Sequence, residues 1–392
     1  MSAAEHEWRS GPPTVLTSEG LAAAGNRFAR MLDACGVPVR GGVALLAGNV
    51  PEFLATYRGT TWSGRRITPM SWRWSASDVA YVVDNCEADV LIVESRHVDL
   101  AAGAARSIDP SRRFAVGGSV PGFRDWAEIE HLAGGPIDHP LAGTTMMFTS
   151  GTTGRPKGVQ RQPVDGPPPA QVGRSGMQML QSGAADESDG RHLVCTPLYH
   201  SGPITYAEGA ALLGSELVLI DRFDPEDVLR AIEQYRITST FMVPTQFVRL
   251  LRLPEHVRDR YDLSTLRLVA HGSAPVAPDV KRAMIEWLGP VLYEFYGGTE
   301  GGGVAIDSRD WLAHPGSVGR PRPGLGMEIR DDSGVVVDAG VEGQIWFSDG
   351  RPFEYKDDAA KTAEAVSGEW FSLGDIGFVD DDGWLYLCDR RA

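Results

Sequence analysis

The chain has 392 residues, 42% hydrophobic and 23% charged, ordinary values for a folded chain long enough to build two or three packed subdomains. Its 37 Lys and Arg against 52 Asp and Glu leave a net charge of −15, which argues against broad electrostatic binding to nucleic acid and makes any anion site a local construction. No apolar run approaches the roughly 20 residues of a membrane helix, the opening MSAAEHEWRSGPP lacks the pattern of a secretory leader, and four scattered cysteines (Cys35, Cys86, Cys195, Cys388) without CxxC spacing argue against a disulfide framework or structural zinc. A soluble, cytoplasmic protein with reduced thiols is expected.

From Gly42 the chain reads VALLAG, a helical stretch from Pro51 to Ser63, RITPM, a helix from Ser77 to Cys86, then DVLIV. Short apolar strands alternating with amphipathic helices predict a mainly parallel sheet covered by helices on both faces. Residues 163–190 are rich in Pro, Gly, Gln and Ser and read as a surface excursion. The alternation resumes with Leu217 to Ile220, a helix opening at Asp224-Pro225, Ile237 to Val243, a helix within 243–253, Leu266 to Ala270, a helix from Pro278 to Leu288, and Val291 to Tyr296. After Trp311 short runs (MEIR, GVVVD, GQIWFS, WLYLC) are separated by Gly and Asp turns and predict a small β-barrel-like subdomain. The expected class is α/β, with two α/β subdomains over about 1–310 and a β-subdomain over about 311–388.

The segment most informative about chemistry is MMFTSGTTGRPKGV, residues 146–159, an apolar strand running into small hydroxyl and glycine residues and ending in a lysine. Glycines (Gly151, Gly154) let backbone N–H groups approach anionic oxygens, Thr149, Ser150, Thr152 and Thr153 add hydroxyl donors, and Lys157 supplies a point charge. A glycine-rich loop taken by itself is equally well a flexible turn. It is not a Walker A loop, because Gly158 follows Lys157 where that pattern requires Ser or Thr.

The string TSGTTGRPKG closely resembles the phosphate loop of the adenylate-forming superfamily, which includes acyl-CoA synthetases, firefly luciferase and the adenylation domains of peptide synthetases. The resemblance extends over essentially the whole chain and is greatest to the acyl-CoA synthetases. YGGTE, 296–300, is similar to the family's YGxTE motif; it implies Glu300 as a Mg²⁺ ligand, Thr299 by the α-phosphate, and Tyr296 with Gly297 at the adenine. One carboxylate beside substrate phosphates suits a cation that keeps several waters, whereas alone it reads as a solvated turn residue. HGSAP, 271–275, resembles the segment lining the adenine pocket, which assigns Gly272, Ser273, Ala274 and Pro275 there. WFSLGDIGFVDDDGWLYLCDR, 370–390, resembles the segment whose carboxylate, here Asp375, accepts from both ribose hydroxyls, with Arg390 near the ribose; Asp380 to Asp382 read as a hairpin turn. CTPLYHSGP, 195–203, resembles the segment with an aromatic–histidine pair at the carboxylate, here Tyr199 and His200. Amino-acid-activating relatives carry an acidic residue near here and this segment has none, which favours an acid without an ammonium group. Phe247, Gly298 and Gly301 are assigned to the wall of the acyl pocket, although such residues are more often simple core.

The resemblance implies attack of a carboxylate on the α-phosphorus of MgATP, giving acyl-AMP and pyrophosphate, then displacement of AMP by the thiol of coenzyme A. His200, Thr299 and Glu300 are the expected catalytic residues. Residues 1–389 are expected to form the family's large N-terminal domain and 390–392 the start of its hinge, with the smaller lid and its lysine missing, so that these residues alone bind ATP and acid but adenylate weakly. The rival reading is a naturally shortened, non-catalytic nucleotide- or acyl-ligand-binding protein. Fatty, aryl and sterol-side-chain acids all stay open as substrates, as does the oligomeric state, a homodimer included.

Overall fold

The computed structural model describes residues 8–9, 11–149, 155–163, 166–168, 176 and 190–390. The chain divides into two compact units, the first running to Asp224 and the second starting at Pro225.

The first unit is built on a six-stranded sheet in the order Arg124–Asp125, Arg113–Val116, Ala88–Glu94, Gly42–Leu46, Arg66–Pro69, Thr144–Thr145, with every pairing parallel. Gly42–Leu46 is buried along its whole length, as expected for a strand covered on both faces. One cover is a helix pair, Ser18–Ala34 and Pro51–Trp62. The first is capped by Thr17, whose hydroxyl accepts from the N–H of Gly20, and buries Leu21, Gly25, Phe28, Ala29 and Leu32, the spacing of one helical face. The helix Ala76–Asn85 opens with a capping box between Ser75 and Asp78. Elsewhere in this unit Arg191–Val194 runs parallel to Glu216–Leu219, which pairs antiparallel with Thr14–Leu16.

In the second unit Ser239–Met242, Leu268–His271 and Leu292–Tyr296 are parallel neighbours. From Leu292–Tyr296 onward the pairing is antiparallel, through Val304–Asp307 to Ser317–Pro321 and then Leu385–Arg390, Trp370–Val379, Gly343–Ser348 and Gly326–Arg330. The helix Pro278–Leu288 starts on its proline and stops at Gly289, whose φ of +83° ends it. The α/β class expected from sequence stands, with helices on parallel strands followed by an antiparallel set; among the described residues no pairing closes that set into a barrel. GVVVD, read as a strand, is corrected. The Asp331 carboxylate accepts from the N–H groups of Ser333 and Val335 and turns the chain, so Val335 and Val336 stand 61% and 55% exposed and only Val336 makes a bridge, to Arg330. No helix among the described residues is long and apolar enough to cross a membrane.

Candidate active site

In the second unit, the strand Leu292–Tyr296 runs out into a tight glycine turn. Gly298 N–H donates to the Gly301 carbonyl at 2.9 Å and Gly301 N–H returns the bond at 3.2 Å. A Cβ on Gly298 would lie 2.7 Å from Glu300 Oε2 and 2.8 Å from Leu373 Cδ2, so any larger residue there would push the ends of these two side chains aside. That carboxylate is held at both oxygens: Thr299 Oγ1 donates to Oε2 at 2.9 Å and the Tyr355 hydroxyl to Oε1 at 2.7 Å. Tyr296, at the end of the strand, donates its hydroxyl to Asp375 Oδ2 at 2.7 Å. Asp375 sits on Trp370–Val379 directly across from Arg390 of the neighbouring strand.

These groups open onto a cavity of about 490 Å³, lined by Ser273, Ala274, Pro275, Tyr296, Gly297, Gly298, Glu300 and Asp375, and also by Glu294, Leu373 and Cys388, to which the sequence assigned no role in the site. The volume falls within the usual range for a small-molecule site. The wall at 271–275 is pressed against strand Leu292–Tyr296: a Cβ on Gly272 would meet the Phe295 carbonyl oxygen at 2.4 Å. Ser273 then adopts a φ of +66°, uncommon for a residue with a side chain.

Behind the wall lies a polar core. Lys281, fully buried, pairs with Glu294, and burial pulls the lysine pKa down and pushes the carboxyl pKa up, each partly offset by the partner's charge. His271 is fully buried, and among the described residues neither ring nitrogen has a hydrogen-bond partner; burial, with the Lys281 charge acting in the same direction, holds its pKa well below the usual value. Phe247 packs edge-on against this imidazole at 5.1 Å and is itself fully buried.

In the first unit, Thr149 ends the strand Met147–Thr149 and faces Lys157 across an antiparallel hairpin with Lys157–Arg161. Ser150, Gly151, Thr152, Thr153 and Gly154, between these arms, lie outside the described residues, as does the side chain of Arg390. Tyr199 and His200 follow the strand Arg191–Val194, and Asn49 pins the segment leading to them: its Nδ2 donates to the carbonyls of Thr196 and Ile220, and its Oδ1 accepts from Leu198 N–H. Trp72 meets Tyr199 edge-on at 6.1 Å, and the Tyr199 and His200 rings lie 4.5 Å apart. The outer edge of His200 is exposed, but desolvation of its packed face, with the nearby Arg73 charge, lowers the imidazole pKa and favours the neutral ring at pH 7.

Sequence reasoning missed Tyr355, Asn49 and Trp72. Tyr355 lies in an unremarkable FEYKDD run 55 residues from the carboxylate it holds. Asn49 follows a strand of the parallel sheet, so the end of that strand was a usable signal. Among the described residues no group of three or more His, Cys, Asp or Glu forms a metal cage. A hard cation held largely by substrate phosphates requires only one or two carboxylates, and Glu300, with hydroxyls oriented on both oxygens, offers the oxygen chemistry that Mg²⁺ takes.

Comparison with known proteins places this geometry in context. A family model described as AMP-binding enzyme matches residues 7–351. The indoleacetate–CoA ligase of Aromatoleum aromaticum is 28% identical over 393 residues, covering 97% of this chain and 74% of that protein. The amide bond synthetase McbA from Marinactinospora thermotolerans superposes with a TM-score of 0.83 at 27% identity, over 96% of this chain and 76% of that one. The inhibitor-bound N-terminal domain of FACL13 from Mycobacterium tuberculosis gives 0.78 at 26% identity, over 94% of this chain and 91% of that one.

Proposed function

Since the chain belongs to the AMP-binding enzyme family, we propose that it activates a carboxylic acid without an ammonium group, forming an acyl-adenylate from ATP and passing the acyl group to the thiol of coenzyme A. Its relatives are acyl-CoA ligases, and the general reaction is that of an AMP-forming ligase. The observation that carries the finer reading is the gathering, in one cavity, of the Tyr296–Asp375 pair, the glycine-walled turn and the Glu300 carboxylate.

In this reading Asp375 accepts from the ribose hydroxyls, with Arg390 beside it, and Tyr296 and 272–275 flank the adenine. Glu300 holds Mg²⁺, which when bound neutralises phosphate charge. Thr299 lies by the α-phosphate, and Thr149, Lys157 and the loop between them take the remaining phosphates. Neutral His200 donates a hydrogen bond to the acid carboxylate beside Tyr199. A carboxylate oxygen bonds to the α-phosphorus as the bond to the pyrophosphate oxygen breaks; the acid is already ionised, so no general base is required. The thiolate sulfur of coenzyme A then bonds to the acyl carbon and AMP leaves with the electron pair. The residues mainly position groups and stabilise charge. Residues 1–389 correspond in this reading to the family's large N-terminal domain, a division supported by the match to the isolated FACL13 domain, and the protein works in the cytoplasm.

The test is exchange of labelled pyrophosphate into ATP by the 392-residue chain, with fatty, aryl and sterol-side-chain acids supplied in turn. One acid class is expected to raise exchange, slowly, and to leave acyl-AMP detectable at stoichiometric protein. If no acid produces exchange or acyl-AMP while AMP still binds, the non-catalytic nucleotide-binding reading replaces this one.

A further inference from the structure

Two tyrosine hydroxyls at opposite ends of one aromatic run hold two of the carboxylates that line the cavity. Tyr296 donates to Asp375 and Tyr355 to Glu300, both at 2.7 Å. Between them Tyr355 meets Phe353 edge-on at 5.4 Å, Phe353 meets Phe371 at 5.6 Å, and Phe347 lies 6.1 Å from both Phe371 and Tyr296. Tyr355 is 6% exposed and is fixed from its own backbone outward. Its N–H donates to Thr362 Oγ1 at 3.0 Å, and Thr362 donates in turn to the Asp358 carbonyl at 2.9 Å. Asp358 caps the short helix Ala359–Ala365 through Lys361 N–H, and the Lys361 ammonium lies 4.6 Å from the Tyr355 ring centre. The strap 356–365 thus aims the phenol at Glu300.

A lone carboxylate offered to a divalent cation binds it well only when its plane is fixed, and the donors that fix ligating groups commonly matter for affinity almost as much as the ligands. Carboxylates have about four lone-pair sites, and the Thr299 and Tyr355 hydroxyls, one directed at each oxygen, fix the plane in which Glu300 presents itself to a cation. We propose that Tyr355 is the positioning residue of the cation-binding carboxylate Glu300, acting through it and not on the nucleotide. This rests on the assignment of Glu300 made above.

The test uses Mn²⁺ as the probe, followed by its paramagnetic resonance signal, titrated into the full chain saturated with α,β-methylene-ATP; AMP affinity is measured separately without metal. In Tyr355→Phe the ring packing stays and the donor is lost. Mn²⁺ affinity is expected to fall about 10- to 100-fold while AMP affinity and melting temperature hold. Thr362→Val, which keeps the phenol but loosens its anchor, is expected to shift Mn²⁺ affinity the same way by less, and serves if the phenylalanine variant folds poorly. Unchanged Mn²⁺ affinity in both variants overturns the proposal. Equal weakening of Mn²⁺ and AMP also overturns it, because that is the signature of disturbed packing along the aromatic run. Glu300→Gln separates the two levels: if it leaves Mn²⁺ binding intact, the metal assignment of Glu300 itself is wrong.

Discussion

His192 shows how one buried side chain ties the stability of this protein to pH. It lies in the strand Arg191–Val194, 1% exposed, and burial lowers its pKa to about 3. The unfolded chain takes up this proton near pH 6.5 while the folded chain refuses it until about pH 3. Stability is therefore fully present above 6.5 and is lost as pH falls toward 3, by up to about 1.4 kcal/mol per pH unit. Buried His271 acts in the same direction in the second unit. Urea midpoints at pH 7 and pH 5 should show wild type losing about 2 kcal/mol more than His192→Gln across that interval; an identical loss in the two proteins contradicts the account.

The helices Ser18–Ala34 and Pro51–Trp62 cross at glycines, and a Cβ on Gly59 would lie 2.4 Å from the Gly25 carbonyl oxygen and 2.9 Å from Phe28 Cβ. Gly59→Ala forces the pair apart and is expected to cost about 1–3 kcal/mol by chemical denaturation; a neutral change would mean the crossing yields more easily than its backbone contacts suggest. Elements of this unit were legible where burial on both faces leaves unbroken apolar runs, as in Gly42–Leu46 and Ala88–Glu94, and in the second unit where Pro and Gly bracket the helix Pro278–Leu288. The helix Ser18–Ala34 went unread because its buried face is carried partly by Gly25 and Ala29, which give little apolar contrast. GVVVD misled because its three valines satisfy strand preference while the adjacent Asp331 turns the chain. In the cavity, Gly297, Gly298, Glu300 and Asp375 were readable because each lies in a short contiguous string. Tyr355 was not, because its meaning exists only once the fold carries it to Glu300.

For the molecule as a whole, the net charge is −15 and the cavity lining itself includes Glu294, Glu300, Asp375 and Asp389, so an anionic nucleotide has to be recognised by specific donors and not drawn in by the general field. At the centre of the proposed function is the placement of the nucleoside half of an acyl-adenylate against Tyr296 and Asp375, which line the cavity. The most direct measurement is a thermal-shift series with AMP and non-hydrolysable acyl-adenylate analogues of graded acyl size, on wild type and Asp375→Asn. A tight analogue at a hundredfold excess over its Kd should stabilise wild type by about 2.7 kcal/mol, more than AMP at the same concentration, and should lose most of that effect in Asp375→Asn. Stabilisation that is the same in both proteins, or absent with every analogue, contradicts the account.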